Sequence, residues 1–264
     1  MRSDDDVRRV FELWDQGLPK KAITRATGVA RSQVRVWLEQ GLEATLNSPM
    51  RRGTATHDEL WSTARCPLVQ RVDERAYAYL LGQYLGDGHL ARHRRDVYRL
   101  RITTSDAYPN IRSECEAAVL AVMPNNKVGV ATKIGCADVS SYSKHWPCLL
   151  PQHGHGRKHE RPILLRRWQE LIVYKGYPEL LLRGLIHSDG CRCINVVKRS
   201  LKSGLKRYEY PRYMFSNASR HILGIFTHAC DLLEVNWRWD GERQISIARR
   251  ESVEKFDSFV GPKS

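Results

Sequence analysis

The 264-residue chain has no long apolar run, and its longest, such as Ala117 to Met123, falls far short of the roughly 18 residues that cross a bilayer. A transmembrane helix is therefore excluded. The opening residues, Met-Arg-Ser-Asp-Asp-Asp, lack the apolar stretch of a secretory signal. Cysteines are few and odd in number: seven, scattered at 66, 115, 136, 148, 191, 193 and 230 with no Cys-x-x-Cys pair. That usage argues against a disulfide framework and for a reducing cytoplasm. Acidic residues fall short of basic ones, 29 against 43, leaving a net charge of +14 and a pI near 9.7. The excess is the footprint of a polyanionic partner, with nucleic acid ahead of an acidic membrane surface. What the chain does hold is core material: 42% hydrophobic residues and seven tryptophans, in a length suited to one large or two small domains.

Residues 5 to 40 read as three short helices. Asp5 to Gln16 carries Val7, Val10, Phe11 and Trp14 at helical spacing, Gly17 stops it, and Pro19 opens a second helix to about Thr27. Gly28 supplies a tight turn, and Arg31 to Gln40 follows with Val34, Trp37 and Leu38 on one face. The run Ala22-Ile23...Ala26-Thr27-Gly28-Val29...Gln33-Val34...Trp37-Leu38 resembles the DNA-binding helix-turn-helix domains of bacterial regulators and recombinases. The resemblance implies that Arg31, Ser32, Gln33 and Arg35 face a major groove.

A linker is expected at 46–72, where periodicity is lost and Asn47-Ser48-Pro49, Arg51-Arg52-Gly53-Thr54 and Cys66-Pro67 collect. Residues 1–45 carry a net charge of +1 and the rest of the chain +13. The larger domain, 73–264, is therefore the main candidate for contacting phosphates.

That domain contains a repeat. Leu80-Leu81-Gly82-Gln83-Tyr84-Leu85-Gly86-Asp87-Gly88 matches Leu182-Arg183-Gly184-Leu185-Ile186-His187-Ser188-Asp189-Gly190 at an offset of 102 residues. The flanks match too: a strand at 98–106 against 210–219, a helix at 108–122 against 220–235, and a strand pair at 127–144 against 236–250. Each half, about 76–160 and 170–264, reads α-β-β-α-β-β-α, with about eleven extra residues in the second half's first hairpin. Gly82 and Gly86, like Gly184 and Ser188, stand at i and i+4 on one helix face, so two helix backbones can approach closely. Asp87 and Asp189 then end side by side, and paired carboxylates invite hard divalent cations.

The two nine-residue segments resemble the LAGLIDADG motif of homing endonucleases of the single-chain, two-motif (DOD) type, over roughly residues 76–264. The resemblance implies an α+β, pseudo-twofold fold of two αββαββα halves with antiparallel saddle sheets, here preceded by the all-α helix-turn-helix domain. It implies a monomer, a pseudo-dimer within one chain, that cuts both strands of double-stranded DNA using Mg²⁺ or Mn²⁺. The metal would be held by Asp87 and Asp189 with the carbonyls of Gly86 and Ser188. It also implies basic residues at the end of each half's last strand: Lys144 in the first, and Arg249 or Arg250 in the second, with the choice between them open. Strand residues Arg99, Arg101 and Arg212 would face DNA, and the hairpin basic residues Lys198, Arg199, Lys202, Lys206 and Arg207 would contact phosphates. A bacterial or phage, nucleoid-associated protein follows.

Other features carry less. Cys148, His153, His155 and His159 fit no standard zinc module, and that stretch reads as a basic connection between the halves. Cys191 and Cys193 read as buried thiols, and His187 as facing away from the helix seam. A second reading of the chain is a non-cleaving transcription regulator that keeps the fold as a DNA clamp, and a third is an RNA maturase.

Overall fold

The structure, a computed structural model, describes residues 4–46, 66–201, 204–261 and 263. The chain divides into two compact units, with the boundary between residues 63 and 64. Most of the expected linker lies outside the described residues. Its last part, 66–72, belongs to the second unit and includes a 3-10 turn, Val69–Arg71.

The first unit holds helices α1 (Asp4–Asp15), α2 (Lys20–Thr27), α3 (Arg31–Gln40) and α4 (Leu42–Leu46). Gly28, at φ 64°, takes the left-handed turn between α2 and α3, a conformation glycine adopts without a steric penalty. The core is Val7, Val10, Leu13, Ile23, Val29, Val34 and Trp37. Leu13 rather than Trp14 faces inward, and Trp14 is left exposed with the Lys20 ammonium over its ring.

The second unit is α+β and built twice. In the first half come α5 (Glu74–Asp87), β1 (Gly88–Arg92), β2 (Tyr98–Ser105), α6 (Pro109–Val122), β3 (Val128–Lys133), β4 (Cys136–Ser143) and a short α7 (Trp146–Leu149). A connection containing α8 (Arg167–Glu170), which runs on as a π-helical turn over Leu171–Gly176, leads to the second half. There follow α9 (Pro178–Asp189), β5 (Gly190–Leu201), β6 (Gly204–Ser216), α10 (Arg220–Leu232), β7 (Arg238–Trp239), β8 (Gln244–Ile247) and α11 (Arg250–Val260). Each half forms a four-stranded antiparallel sheet in the same order, β1-β2-β4-β3 and β5-β6-β8-β7.

Alternation fixes which face of each sheet is buried. Leu100, Ile102, Ala137 and Val139 face the helices in the first half, while Tyr213, Phe215, Ile245 and Ile247 do so in the second, where Phe215 stacks on Phe226 at 4.2 Å. The motif helix α5 is buried all round from Tyr77 to Leu85, and the polar residue among them, Gln83, donates to the Tyr79 hydroxyl at 2.8 Å. Asp73 caps it by accepting from the Ala76 N–H at 2.9 Å. Across the halves, Arg183 on α9 forms a two-pronged pair with Glu114 on α6 (2.6 and 2.9 Å) and donates to the Phe259 and Val260 carbonyls of α11. Among the described residues no helix is long and apolar enough to cross a membrane.

Candidate functional site

The two motif helices, α5 and α9, meet at their glycines. A Cβ at Gly82 would lie 2.6 Å from the Leu181 carbonyl oxygen and 2.8 Å from the Leu185 nitrogen, and one at Gly184 would run into the Tyr79 carbonyl oxygen. One turn on, Gly86 faces Ser188, and its Cβ would stand 3.2 Å from the Asp189 carboxyl carbon. The seam thus excludes side chains and brings the two helix ends together. Gly88 and Gly190 leave helical geometry and begin β1 and β5, so Asp87 and Asp189 are each the last helical residue above a sheet.

The charges respond to this crowding. The Asp87 carboxyl keeps an open side to solvent, yet loss of water around it, and then the Asp189 charge, push it up to about 6. Asp189 is raised too, by desolvation, while a 2.6 Å hydrogen bond from Asn217 Nδ2 and the charges of Lys158 and Lys263 oppose the rise. Both lysines sit in repeat-related places. Lys158 follows Asp87 by 71 residues and Lys263 follows Asp189 by 74. Lys158 Nζ donates to the carbonyls of Tyr84 (2.5 Å), Leu85 (3.0 Å) and Gly86 (2.7 Å), and Lys263 Nζ to those of Ile186 (3.3 Å), Ser188 (3.2 Å) and Gly190 (2.7 Å). Each ammonium therefore caps the negative end of a motif helix beside its aspartate. Burial pulls Lys158 down to about 8 against the pull of both aspartates, and lowers Lys263 likewise.

The donors fit a hard divalent cation: two carboxylates repelling each other, with the Gly86 and Ser188 carbonyls next to them. Those two carbonyls are also the ones the ammoniums hold, so an added cation there shares or displaces them. A groove of about 580 Å³ opens on the spot, walled by Leu85, Gly86, His89, Lys158, Asp189 and Asn217.

Three solved structures are similar to this chain at low sequence identity. The homing endonuclease I-DmoI is 14% identical with a TM-score of 0.46, over 72% of this chain and 91% of its own. The LAGLIDADG meganuclease I-AabMI, bound to uncleaved DNA, is 13% identical with a TM-score of 0.44 over 69% and 82%. The meganuclease I-SmaMI, bound to uncleaveable DNA, is 10% identical with a TM-score of 0.43 over 70% and 84%. No protein-family model and no curated protein matches the chain.

The basic residues expected at the last strands lie elsewhere. Pairing aligns Gly88, Ile102 and Val139 on one rung and Arg92, Tyr98 and Ser143 on another four residues away. Since β4 runs in the same direction as β1, away from Asp87, it ends at Ser143 about 13 Å further along the sheet, and Lys144 stands exposed just beyond it. The second half repeats this: Ile245 is level with Gly190, and Arg249 and Arg250 lie beyond Ile247, exposed, with Arg250 paired to Glu254. Lys158 and Lys263 occupy the expected place beside the aspartates. The signal that could have found them was the repeat itself, which relates the two lysines at nearly the offset that relates the aspartates.

On the sheets, Arg99 and Arg101 lie on the face opposite Leu100 and Ile102, with Arg99 against Ser140 and the Tyr142 ring. Arg212 shares an outer face with Tyr210 and pairs with Asp240 at 3.4 Å. Lys206 lies over Tyr208, and Arg207 pairs with Glu209; both are exposed. Lys198 and Arg199 sit in β5 opposite Arg207 and Lys206, and Lys202 lies outside the described residues. In α3, Arg31 is exposed and Ser32 and Gln33 half-buried, whereas Arg35 is largely covered, 3.6 Å from Glu39. Cys191 is exposed and Cys193 half-buried, contrary to expectation. Their register opposite Met214 and Arg212 puts them on the outer face, while Arg192 between them reaches Asp257. His187 is a satisfied core histidine, between the Tyr79 hydroxyl (3.1 Å) and the Val260 carbonyl (3.0 Å).

Proposed function

We propose that the chain is a sequence-specific, double-stranded DNA endonuclease of the LAGLIDADG homing type. The observation that carries this reading is the convergence of Asp87 and Asp189, one from each half, at the foot of a glycine-lined helix pair, each with a lysine beside it. Asp87, Asp189 and the carbonyls of Gly86 and Ser188 would hold Mg²⁺ or Mn²⁺. When bound, such an ion supplies Lewis acidity and a water nucleophile. Lys158 and Lys263 neutralise charge developing on a scissile phosphate in their half, and Lys158, held near 8, can also exchange a proton at Nζ with water or a leaving oxygen. One acid and one base per half suits one cut per strand.

The outer faces of the two sheets supply the DNA contacts, with Arg99, Arg101 and Arg212 toward the groove and Lys206 and Arg207 on phosphates, joined by Lys198, Arg199 and Lys202 of the same hairpin. The N-terminal unit acts as a helix-turn-helix whose α3 offers Arg31, Ser32 and Gln33 to the major groove; the Arg35–Glu39 pairing makes Arg35 a weaker contact. Lys144, Arg249 and Arg250 then have no part at the reacting atoms.

A second reading, a DNA clamp that does not cut, is favoured by one observation: both expected metal-binding carbonyls are already held by ammoniums. One experiment separates the two. DNA from the gene's own neighbourhood is incubated with Mg²⁺ or with EDTA, for the natural chain and for Asp87→Asn with Asp189→Asn. The endonuclease requires Mg²⁺-dependent double-strand breaks that vanish in the variant while DNA binding persists. Tight, salt-sensitive binding without cleavage by folded natural protein establishes the clamp, and unchanged cleavage by the variant overturns the aspartate mechanism.

A further inference from the structure

Away from the aspartates, three soft or borderline metal ligands converge from two distant parts of the chain. Cys66 stands just before the turn Val69–Arg71, His145 is the residue preceding α7, and Cys148 is that helix's third residue. The Cys66 and Cys148 sulfurs and a ring nitrogen of His145 all lie within 4.8 Å of one another, and Cys66 Sγ is 3.4 Å from His145 Nδ1. We infer that Cys66, His145 and Cys148 form a zinc site, with water in the fourth position.

The geometry is that of an ion's coordination sphere. Tetrahedral zinc, with Zn–S near 2.3 Å and Zn–N near 2.0–2.1 Å, sets its sulfur and nitrogen ligands about 3.5 Å apart, close to the observed sulfur–nitrogen separation. Two of the ligands are pre-positioned. His145 and Cys148 are three residues apart on one helical turn, so their side chains share a face. That turn is fixed by the Cys148 N–H donating to the His145 carbonyl (3.0 Å) and the His145 N–H donating to Ser143 Oγ (3.1 Å). Coordination through Nδ1 leaves Nε2–H free for solvent, which suits an exposed ring. Cys148 is exposed and Cys66 half-buried, so an ion can reach both.

Thiolate and imidazole select zinc, whereas the carboxylates of Asp87 and Asp189 suit a hard cation such as Mg²⁺. The site closes a 79-residue loop from Cys66 to His145 and so pins the start of the second unit to the turn after β4. Its role is a staple rather than a reaction centre. The histidines after Cys148 take no part: His153 packs on Tyr98, and His159 lies by Glu160.

The test uses the full chain, purified under reducing conditions without chelator from zinc-supplemented cells. Metal content is measured by mass spectrometry, and the stripped protein is titrated with Co²⁺. The expected result is near-stoichiometric zinc, and a cobalt spectrum with thiolate charge-transfer and four-coordinate ligand-field bands. Both are lost in Cys66→Ser and in Cys148→Ser, and both survive in Asp87→Asn with Asp189→Asn. Should a cysteine variant fail to fold, competition between the natural chain and a chromophoric chelator measures the affinity directly. Trace zinc with no thiolate–cobalt band, zinc unaffected by loss of either cysteine, or a Cys66–Cys148 disulfide in protein alkylated inside the cell would each overturn the proposal.

Discussion

Replacing Gly82 by alanine sets two opposing effects against each other. In an isolated helix, alanine is favoured over glycine by about 1 kcal/mol. At this position the new Cβ would lie 2.6, 2.8 and 2.9 Å from Leu181 O, Leu185 N and the Gly184 carbonyl carbon, all backbone atoms of α9 that no rotamer change can move. Ordinary contact begins at 3.4 Å, so the helices must part by about 0.5 to 0.8 Å along a seam close-packed on both sides. Overpacking of this kind costs about 1–3 kcal/mol, and part of it is offset by the propensity gain. Because the opposing atoms are backbone, the upper part of that range applies, about 2–3 kcal/mol, and the net is a loss of about 1–2 kcal/mol, or about 2–8 °C in the melting of a unit this size. Gly129→Ala is the control, because nothing lies within 4 Å of its Cβ. Calorimetry of the second unit's transition measures both, and a Gly82→Ala protein as stable as the natural chain would refute close approach as the reason for the glycine.

Two further outcomes follow from the charges. Burial, and next the Arg183 charge, hold the His187 imidazole down to about 4, so between the free value near 6.5 and pH 4 the unfolded chain takes up a proton that the fold refuses. Stability is complete above pH 6.5 and falls as pH drops through that window, by up to about 3 kcal/mol. His187→Gln should flatten this limb of a melting-temperature profile, and identical slopes in the two proteins would disprove the assignment. For DNA binding, Lys206→Ala with Arg207→Ala should lower the slope of log affinity against log salt by about one to two, since each lost phosphate contact removes about 0.9. An unchanged slope would remove the β5–β6 hairpin from the interface.

Architecture was legible because it rests on patterns that survive in one dimension. Period-3.6 runs, Gly28 and the two Asp-Gly helix ends located the helices, and the 102-residue repeat foretold two equal halves before any pairing was known. The glycine seam was legible for the same reason: i, i+4 spacing is local, and its consequence for close approach is steric. Burial on the sheet faces was harder. Cys191 and Cys193 alternate correctly, but alternation alone leaves open which of two faces meets the helices, and Arg192, an unpromising inward residue, is the one that turns toward α11 to reach Asp257.

The site lysines escaped for a different reason. The family resemblance implies a basic residue beside Asp87 from the end of a strand, yet the antiparallel ladder sends β4 away from the aspartates, and the chain returns to them only through the segment that carries Lys158. Nothing periodic marks such a segment. Its lysine is positioned by what it satisfies: the last carbonyls of α5, where helical bonding runs out, with the Tyr84 carbonyl shared with the Gly88 N–H, so that one ammonium serves three at a time. The same need arises at the end of α9 and is met by Lys263 at the matching point of the repeat. A helix that must stop at an aspartate, with its carbonyls turned toward a second helix doing the same, gathers negative charge from backbone and side chain together, and a cation has to answer it. In this chain two lysines already do, so any divalent ion enters the site against ammoniums bonded to the carbonyls it would need.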